Sequence, residues 1–447
     1  MERSRQSRIA VIAMAAGMAT AMMLVLATLS APSAQAQTLT VLHTFSGASD
    51  GGVPLAGLTM DAAGNLYGTS SHGAAGYGEV FRLSHRGSGW IFTPLYTFQG
   101  PPNDGSNPVA RVIFGPDGTL YGTTENGGNS TGYCHGGCGS VFNLRPPPTA
   151  CTAALCPWQE TVLWDFSVSD PTYGALPESE VIFDTAGNLY GTTYGGGYYD
   201  APGGGSGCVE CGLVYKLTPS SGGWTESVPY SFSGYQYGDD GAFPVGGLTF
   251  DSAGNLYGTT TQYGDCGFGI IFQLTPNGSA WTEHLLHDFC SGGSNPTATL
   301  IADSSGTFYG TSQGLITGYG TQHGSVFTFA PSGSSWVYTP IYSFPQYGGG
   351  PAAQLFRDGA GNLYGTSVAG GSNPLGLCSN GCGTIFKLTP SNGSWIYTEL
   401  YDFTGGSDGG APYSNLVQDA NGNFYGTTSA GGSNGCSRCG VVFEFTP

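Results

Sequence analysis

Seven times the chain spells nearly the same ten residues: "DAAGNLYGTS", "GPDGTLYGTT", "DTAGNLYGTT", "DSAGNLYGTT", "DSSGTFYGTS", "DGAGNLYGTS" and "DANGNFYGTT". The glycine opening each Tyr-Gly word falls at 64, 118, 187, 254, 306, 361 and 422. A unit recurring at this period buries its apolar face against its own copies, which restricts the fold more than any single motif does. Three further words keep step. A proline opens a short apolar stretch at Pro54, Pro108, Pro177, Pro244, Pro296, Pro351 and Pro412. "EVFRL", "SVFNL", "LVYKL", "IIFQL", "SVFTF", "TIFKL" and "VVFEF" follow the Tyr-Gly words. A fourth word ends in Phe, as in "VLHTF", "PLYTF" and "VLWDF".

Each word is short and β-rich, with turn residues between words, and therefore reads as a strand. Four antiparallel strands per unit in seven units predict an all-β, seven-bladed propeller; we letter the strands A to D from the axis outward. "D-x-x-G-N" reads as the A–B hairpin turn, in which Asp bonds its own following backbone and Gly supplies positive φ. "TP…W" is read as the C–D turn. Past residue 36 the chain begins with a fourth word, "LTVLHTF", and ends with a third, "VVFEFTP". The N-terminal strand is thus expected to complete the last blade and cover its open edge. Tyr67, Tyr121, Tyr190, Tyr257, Tyr309, Tyr364 and Tyr425 occur once per blade, each before Gly. They are expected to fill the space between sheets rather than form seven sites.

Composition agrees. Charged residues are 9% and aromatics 13%, the reverse of a disordered chain. The 78 glycines show no three-residue period, which excludes collagen. Arg3, Arg5 and Arg8, the apolar run "IAVIAMAAGMATAMMLVLATL" and Ala34-Gln35-Ala36 read as a signal peptide over 1–36, removed before a single domain at 37–447. The run is also long enough for an uncleaved anchor. Cleavage would leave 8 basic and 28 acidic residues, a net charge of about −20. Such a polyanion does not hold nucleic acid or an anionic membrane by charge. The expectation is a secreted monomer, at the cell surface, in the periplasm or outside the cell, with no membrane span after cleavage.

The strings "GNLYGTT…GG…G-x-VF-L-TP", clearest at 187–219, 254–276, 361–390 and 422–447, resemble the bacterial Gloeo/Verruco repeat of secreted "choice-of-anchor tandem repeat" proteins. The resemblance covers about the whole mature chain. It implies an exported repeat protein and no particular reaction. The "D-x-x-GNLY" word is also similar to blades of lactonase-type propellers, a likeness of fold, which does not transfer function.

Twelve cysteines in an exported chain favour disulfides. Cys134/Cys138, Cys208/Cys211, Cys378/Cys382 and Cys436/Cys439 sit in B–C loops, and Cys151/Cys156 in a C–D insertion. Cys266 and Cys290 fall in a B–C and a D–A loop, which share a face in a propeller. Zinc is the competing reading for the Cys-x-x-Cys pairs, although these belong to different blades.

Function is sought on the face of the long B–C and D–A loops. Tyr198, Tyr199, Tyr235, Tyr237, Asp239 and Asp240 concentrate aromatics and acids there, a pairing that suits sugar rings and their hydroxyls. On strand A, the first residue after each proline is Leu55, Val109, Glu178, Val245, Thr297, Ala352 or Tyr413. The third is Gly57, Arg111, Glu180, Gly247, Thr299, Gln354 or Asn415. Glu178, Glu180 and Arg111 could be a glycosidase or lyase set, or Arg111–Glu180 an ion pair lining a wet channel. Asp50, Asp104, Asp240 and Asp408 share "D-G-x-x-P" and could ring the pore mouth and take calcium. They could equally be Asx turns. No cofactor motif appears, so none is expected. Two functions follow: a non-catalytic module for a glycan or protein ligand, or a polysaccharide-active or lactone-hydrolysing enzyme at the channel mouth.

Overall fold

Each repeat folds as one four-stranded antiparallel sheet, and seven such sheets make a β-propeller. The structure, a computed structural model, describes residues 37–73, 76–87, 89–128, 134, 136–147, 158–167, 174–197, 211–234, 240–290, 293–314, 316–317, 320–321, 323–345, 350–371, 377–432 and 439–447. The segment read as a signal peptide lies outside these ranges. Leu39–Thr446 form one compact unit. No helix among the described residues is long and apolar enough to cross a membrane.

Blade 1 shows the pattern, with strands A to D at Thr59–Met60, Leu66–Ser70, Glu79–Arg86 and Gly89–Thr97. In blade 7 the strands Val417–Gln418, Phe424–Thr428 and Val441–Thr446 are completed on the outside by Thr38–Thr44. The first strand among the described residues therefore closes the last blade, and the Phe45 N–H donates to the Gly440 carbonyl at 3.1 Å.

Two expectations need correction. The proline-led word is not a full strand: only its last two residues pair with strand B, as Ile113–Phe114 do with Tyr121 and Leu120. The residues before them run along the axis, and their carbonyls are bonded from the neighbouring blade. The threonine after each Tyr-Gly supplies that bond. Thr69, Thr123, Thr192, Thr259, Thr311 and Thr366 donate to the carbonyls of Ala110, Ser179, Gly246, Pro296, Ala353 and Ser414 at 2.9–3.3 Å. Thr427 closes the circle on Ala56, at 2.8 Å. Nor is "TP…W" a turn. Pro219 faces Trp224 and Pro276 faces Trp281 across the C–D ladder, and the turn of blade 3 is residues 221–222, beyond the last pair, Ser220 and Gly223.

The packing explains why Tyr, Gly and Phe recur. Seven apolar clusters form the core, one at each blade junction. The Phe ending each strand D meets the strand C aromatic of the next blade edge to face. Phe98 lies 5.2 Å from Phe142, and Phe45 of blade 7 lies 5.5 Å from Phe81 of blade 1. The glycine after each tyrosine makes room for that ring, since a Cβ on Gly122 or Gly258 would overlap Phe142 or Phe272. The seven tyrosines are buried and keep their hydroxyls bonded. Each donates to the Asp of its own A–B turn at 3.0–3.3 Å. In blade 1, Asp61 Oδ1 also accepts from the Ala63 and Asn65 amides at 2.9 Å, and Gly64 takes φ 80°.

Candidate functional site

The proline-led segments enclose an axial cavity of about 300 Å³. The first and third residues after each proline line it, from Leu55 and Gly57 around to Tyr413 and Asn415. Arg111, Glu180, Thr299 and Gln354 also line a second cavity of about 480 Å³, otherwise walled by residues such as Ile113, Phe183 and Phe250. These third-position residues are thus shared by the two cavities as a polar waist.

Arg111 and Glu180 are an ion pair, Nη2 to Oε1 at 3.6 Å. Thr299 Oγ1 donates to the same Glu180 oxygen at 2.9 Å and accepts from the Gly247 N–H at 2.9 Å. Glu180 of blade 3 reaches Thr299 of blade 5 because blade 4 offers Gly247 between them. A Cβ on Gly247 would lie 2.7 Å from Thr299 Oγ1. The structure therefore separates Glu180, held in the waist, from Glu178. Glu178 lines the cavity and makes no hydrogen bond or ion pair among the described residues. Burial, and then the charge of Glu125, push its carboxyl up to about 7.

Glu125 escaped the sequence reading, yet a signal for it exists. It follows "YGTT" where the other blades have Ser71, Tyr194, Thr261, Gln313, Val368 and Ser429. Ser71, Thr261 and Ser429 donate their hydroxyls to the D–A loop carbonyls of Val53, Phe243 and Ala411 at 2.9–3.0 Å. Blades 2, 3 and 5 carry longer polar side chains instead. Gln313 lines the cavity. Glu125 accepts from Asn107 Nδ2, and burial raises its carboxyl too. The Tyr194 hydroxyl is pushed up by burial and by Glu178. Tyr413, on a blade far round the ring from Glu178, is 38% exposed.

The B–C and D–A loops do share one face. Gly105–Ser106 pairs with Asn126–Gly127, and Gly174–Ala175 with Gly195–Gly196. Of the residues expected to bind a ligand there, Tyr198, Tyr199, Tyr235, Tyr237 and Asp239 lie outside the described residues. Asp240 is buried, accepting from the Tyr230 hydroxyl at 2.6 Å and the Ser233 hydroxyl at 2.8 Å. Its relatives act alike. Asp104 takes the Tyr96 hydroxyl at 2.9 Å, Asp408 the Tyr401 hydroxyl at 3.1 Å, and Asp50 faces His43 Nε2 at 3.3 Å. Each accepts from a backbone amide four to seven residues before it, those of Ser46, Gln99, Ser233 and Thr404. Among the described residues, the one trio of clustered ligating side chains is Cys266, Asp288 and Cys290. Its two cysteines are bonded to each other. Cys134–Cys138 and Cys378–Cys382 are also disulfides, and Cys211 and Cys439 are disulfide-bonded. Cys151, Cys156, Cys208 and Cys436 lie outside the described residues.

The sequence matches the Gloeobacter/Verrucomicrobia repeat model over residues 27–204 and 201–378. Among curated proteins none matches. Solved structures are similar to this chain. An ulvan lyase, a polysaccharide lyase bound to -[GlcA(1-4)Rha3S]-, is 11% identical with TM-score 0.51, over 91% of this chain and 93% of its own. A protein of unknown function from Dyadobacter fermentans is 12% identical with TM-score 0.43, over 91% and 97%. A gluconolactonase from Xanthomonas campestris is 12% identical with TM-score 0.35, over 64% and 74%. For the ulvan lyase, at 11% identity, the likeness is one of fold.

Proposed function

The chain belongs to the Gloeobacter/Verrucomicrobia repeat family, and from there we propose that it is a secreted, monomeric, non-catalytic module that binds a glycan on its B–C and D–A loop face, at the mouth of the axial cavity. The observation that carries this is the pairing of an exposed aromatic, Tyr413, with Glu178, a carboxyl unpaired among the described residues, and an amide, Gln313, around one cavity. An aromatic face with a polar rim is the chemistry that sugar rings require. The waist supports the non-catalytic form, since Glu180 is occupied by Arg111 and Thr299. Screening the mature protein on a glycan array tests the proposal. Tyr413→Ala is expected to weaken the best hit by about 1–3 kcal/mol. A blank array, or a hit indifferent to Tyr413, defeats the reading.

One observation favours the enzyme reading. The Glu178 carboxyl, pushed up to about 7 beside Glu125, has the character of a general acid at neutral pH. Release of reducing ends from a bound polysaccharide, or lactone hydrolysis, abolished in Glu178→Gln, would establish it.

A further inference from the structure

We infer that the saccharide held at this mouth carries an ammonium group. The inference rests on the glycan reading above and names its ligand class.

Among the described residues, three charged side chains line the axial cavity, Arg111, Glu178 and Glu180. The single cation among them is neutralised at the waist, 3.6 Å from Glu180. Glu178 is left facing the cavity with no hydrogen bond or ion pair among the described residues. It feels the charge of Glu125, which Asn107 holds by a hydrogen bond, and it helps keep the Tyr194 hydroxyl protonated. Glu178 thus faces a partly dry cavity within reach of a second carboxyl's charge, and no cation is left to pair with it there among the described residues. Burial disfavours its charged form, and so does that second charge.

A neutral sugar leaves that cost in place. An acidic sugar adds a third negative group. A ligand ammonium beside Glu178 removes the cost and makes a charge-assisted hydrogen bond, the stronger kind. Tyr413 offers a ring face on the other side of the mouth, and aromatic faces also attract cations. The chain's net charge of −18 draws cationic ligands toward it.

The test is titration calorimetry of the mature protein at neutral pH with a glucosamine oligomer and with its N-acetylated counterpart. The glucosamine form is expected to bind about tenfold more tightly, a difference of about 1.4 kcal/mol. Glu178→Gln should abolish that preference and leave the melting temperature no lower. Asp265→Asn removes an exposed carboxylate of blade 4 and should change nothing, which separates the mouth from general attraction of a polycation to an acidic protein. Equal affinities for the two oligomers, or a preference that survives Glu178→Gln, overturn the ammonium while leaving the glycan reading standing. Equal losses from Glu178→Gln and Asp265→Asn overturn it as well. Binding of neither oligomer also refutes the inference; with a blank glycan array the parent reading falls too.

Discussion

Tyr215 is where one atom departs from the repeat. At its position the other blades have Phe81, Phe142, Phe272, Phe327, Phe386 and Phe443. Its hydroxyl is buried without a hydrogen-bond partner among the described residues and is kept protonated by burial and by the nearby charge of Glu226. An unsatisfied buried hydroxyl costs about 1–3 kcal/mol. Tyr215→Phe should therefore raise stability by about 1 kcal/mol in urea unfolding; a loss would mean that the hydroxyl has found a partner. Glu79 is a second such departure. It is fully buried, and neither carboxylate oxygen has a hydrogen-bond partner among the described residues. The corresponding residues elsewhere are Ser140, Leu213, Ile270, Ser325, Thr384 and Val441. Burial, then Asp50, push its pKa up to about 8. A raised folded pKa means that Glu79's contribution is complete below the ordinary carboxyl range and is lost as pH rises through about 8. His43 works the other way. Burial lowers its pKa despite Asp50, so its contribution fades on acidification through the ordinary imidazole range. Of these two groups, Glu79 alone is then expected to act above neutrality. Glu79→Ser should stabilise the protein increasingly with pH, by about 2 kcal/mol at the alkaline end. Thermal melts across the pH range check this, and a pH-independent gain would rule out titration of Glu79 as the cause.

At the scale of elements, the blade is a common β-sheet, and its distinctive component is the threonine bonded across each junction. The words make sense in this light: Tyr anchors the A–B turn, Gly admits the neighbouring ring, and Thr reaches the next blade's axial carbonyl. Thr427→Val removes the one such bond that joins the two ends of the chain, Thr427 to Ala56. Thr366→Val removes an equivalent internal bond, to Ser414 at 2.9 Å. Both should cost about 1–2 kcal/mol, since each leaves a buried carbonyl short of a donor. Similar losses in guanidinium unfolding would show the closing junction to be energetically ordinary. A much larger loss for Thr427→Val would show it to be the weak point of the ring.

For the whole molecule, closure depends on the strand Thr38–Thr44. Deleting residues 37–45 bares the edge of Val441–Thr446 and withdraws Phe45, which is completely buried, from the junction of blades 7 and 1. The expected result is a lower melting temperature and concentration-dependent association, because an unpaired strand edge invites another chain. Phe45→Ala alone should cost about 3–5 kcal/mol through the cavity it leaves. An unchanged melting temperature for both variants would mean that the ring closes without this strand.

What the sequence determined by itself was whatever a short window can specify. Strand words, turn residues and the order of words at the two ends yielded seven blades and a composite last one. They also placed Arg111 and Glu178 in the channel, because each position has six internal counterparts to be aligned with. The tertiary structure decided whatever joins residues that only ring closure brings together. Strand A shrank to two residues because seven segments converging on the axis bond to neighbours rather than to themselves. Glu180 became a partner of Thr299, 119 residues away, across a glycine whose importance no local pattern reveals. Glu178 was left apart from that pair and set against Glu125 of the preceding blade. Charge and burial depend on the whole ring, so a sequence that names the carboxylates does not say which is neutralised and which is left to meet a ligand.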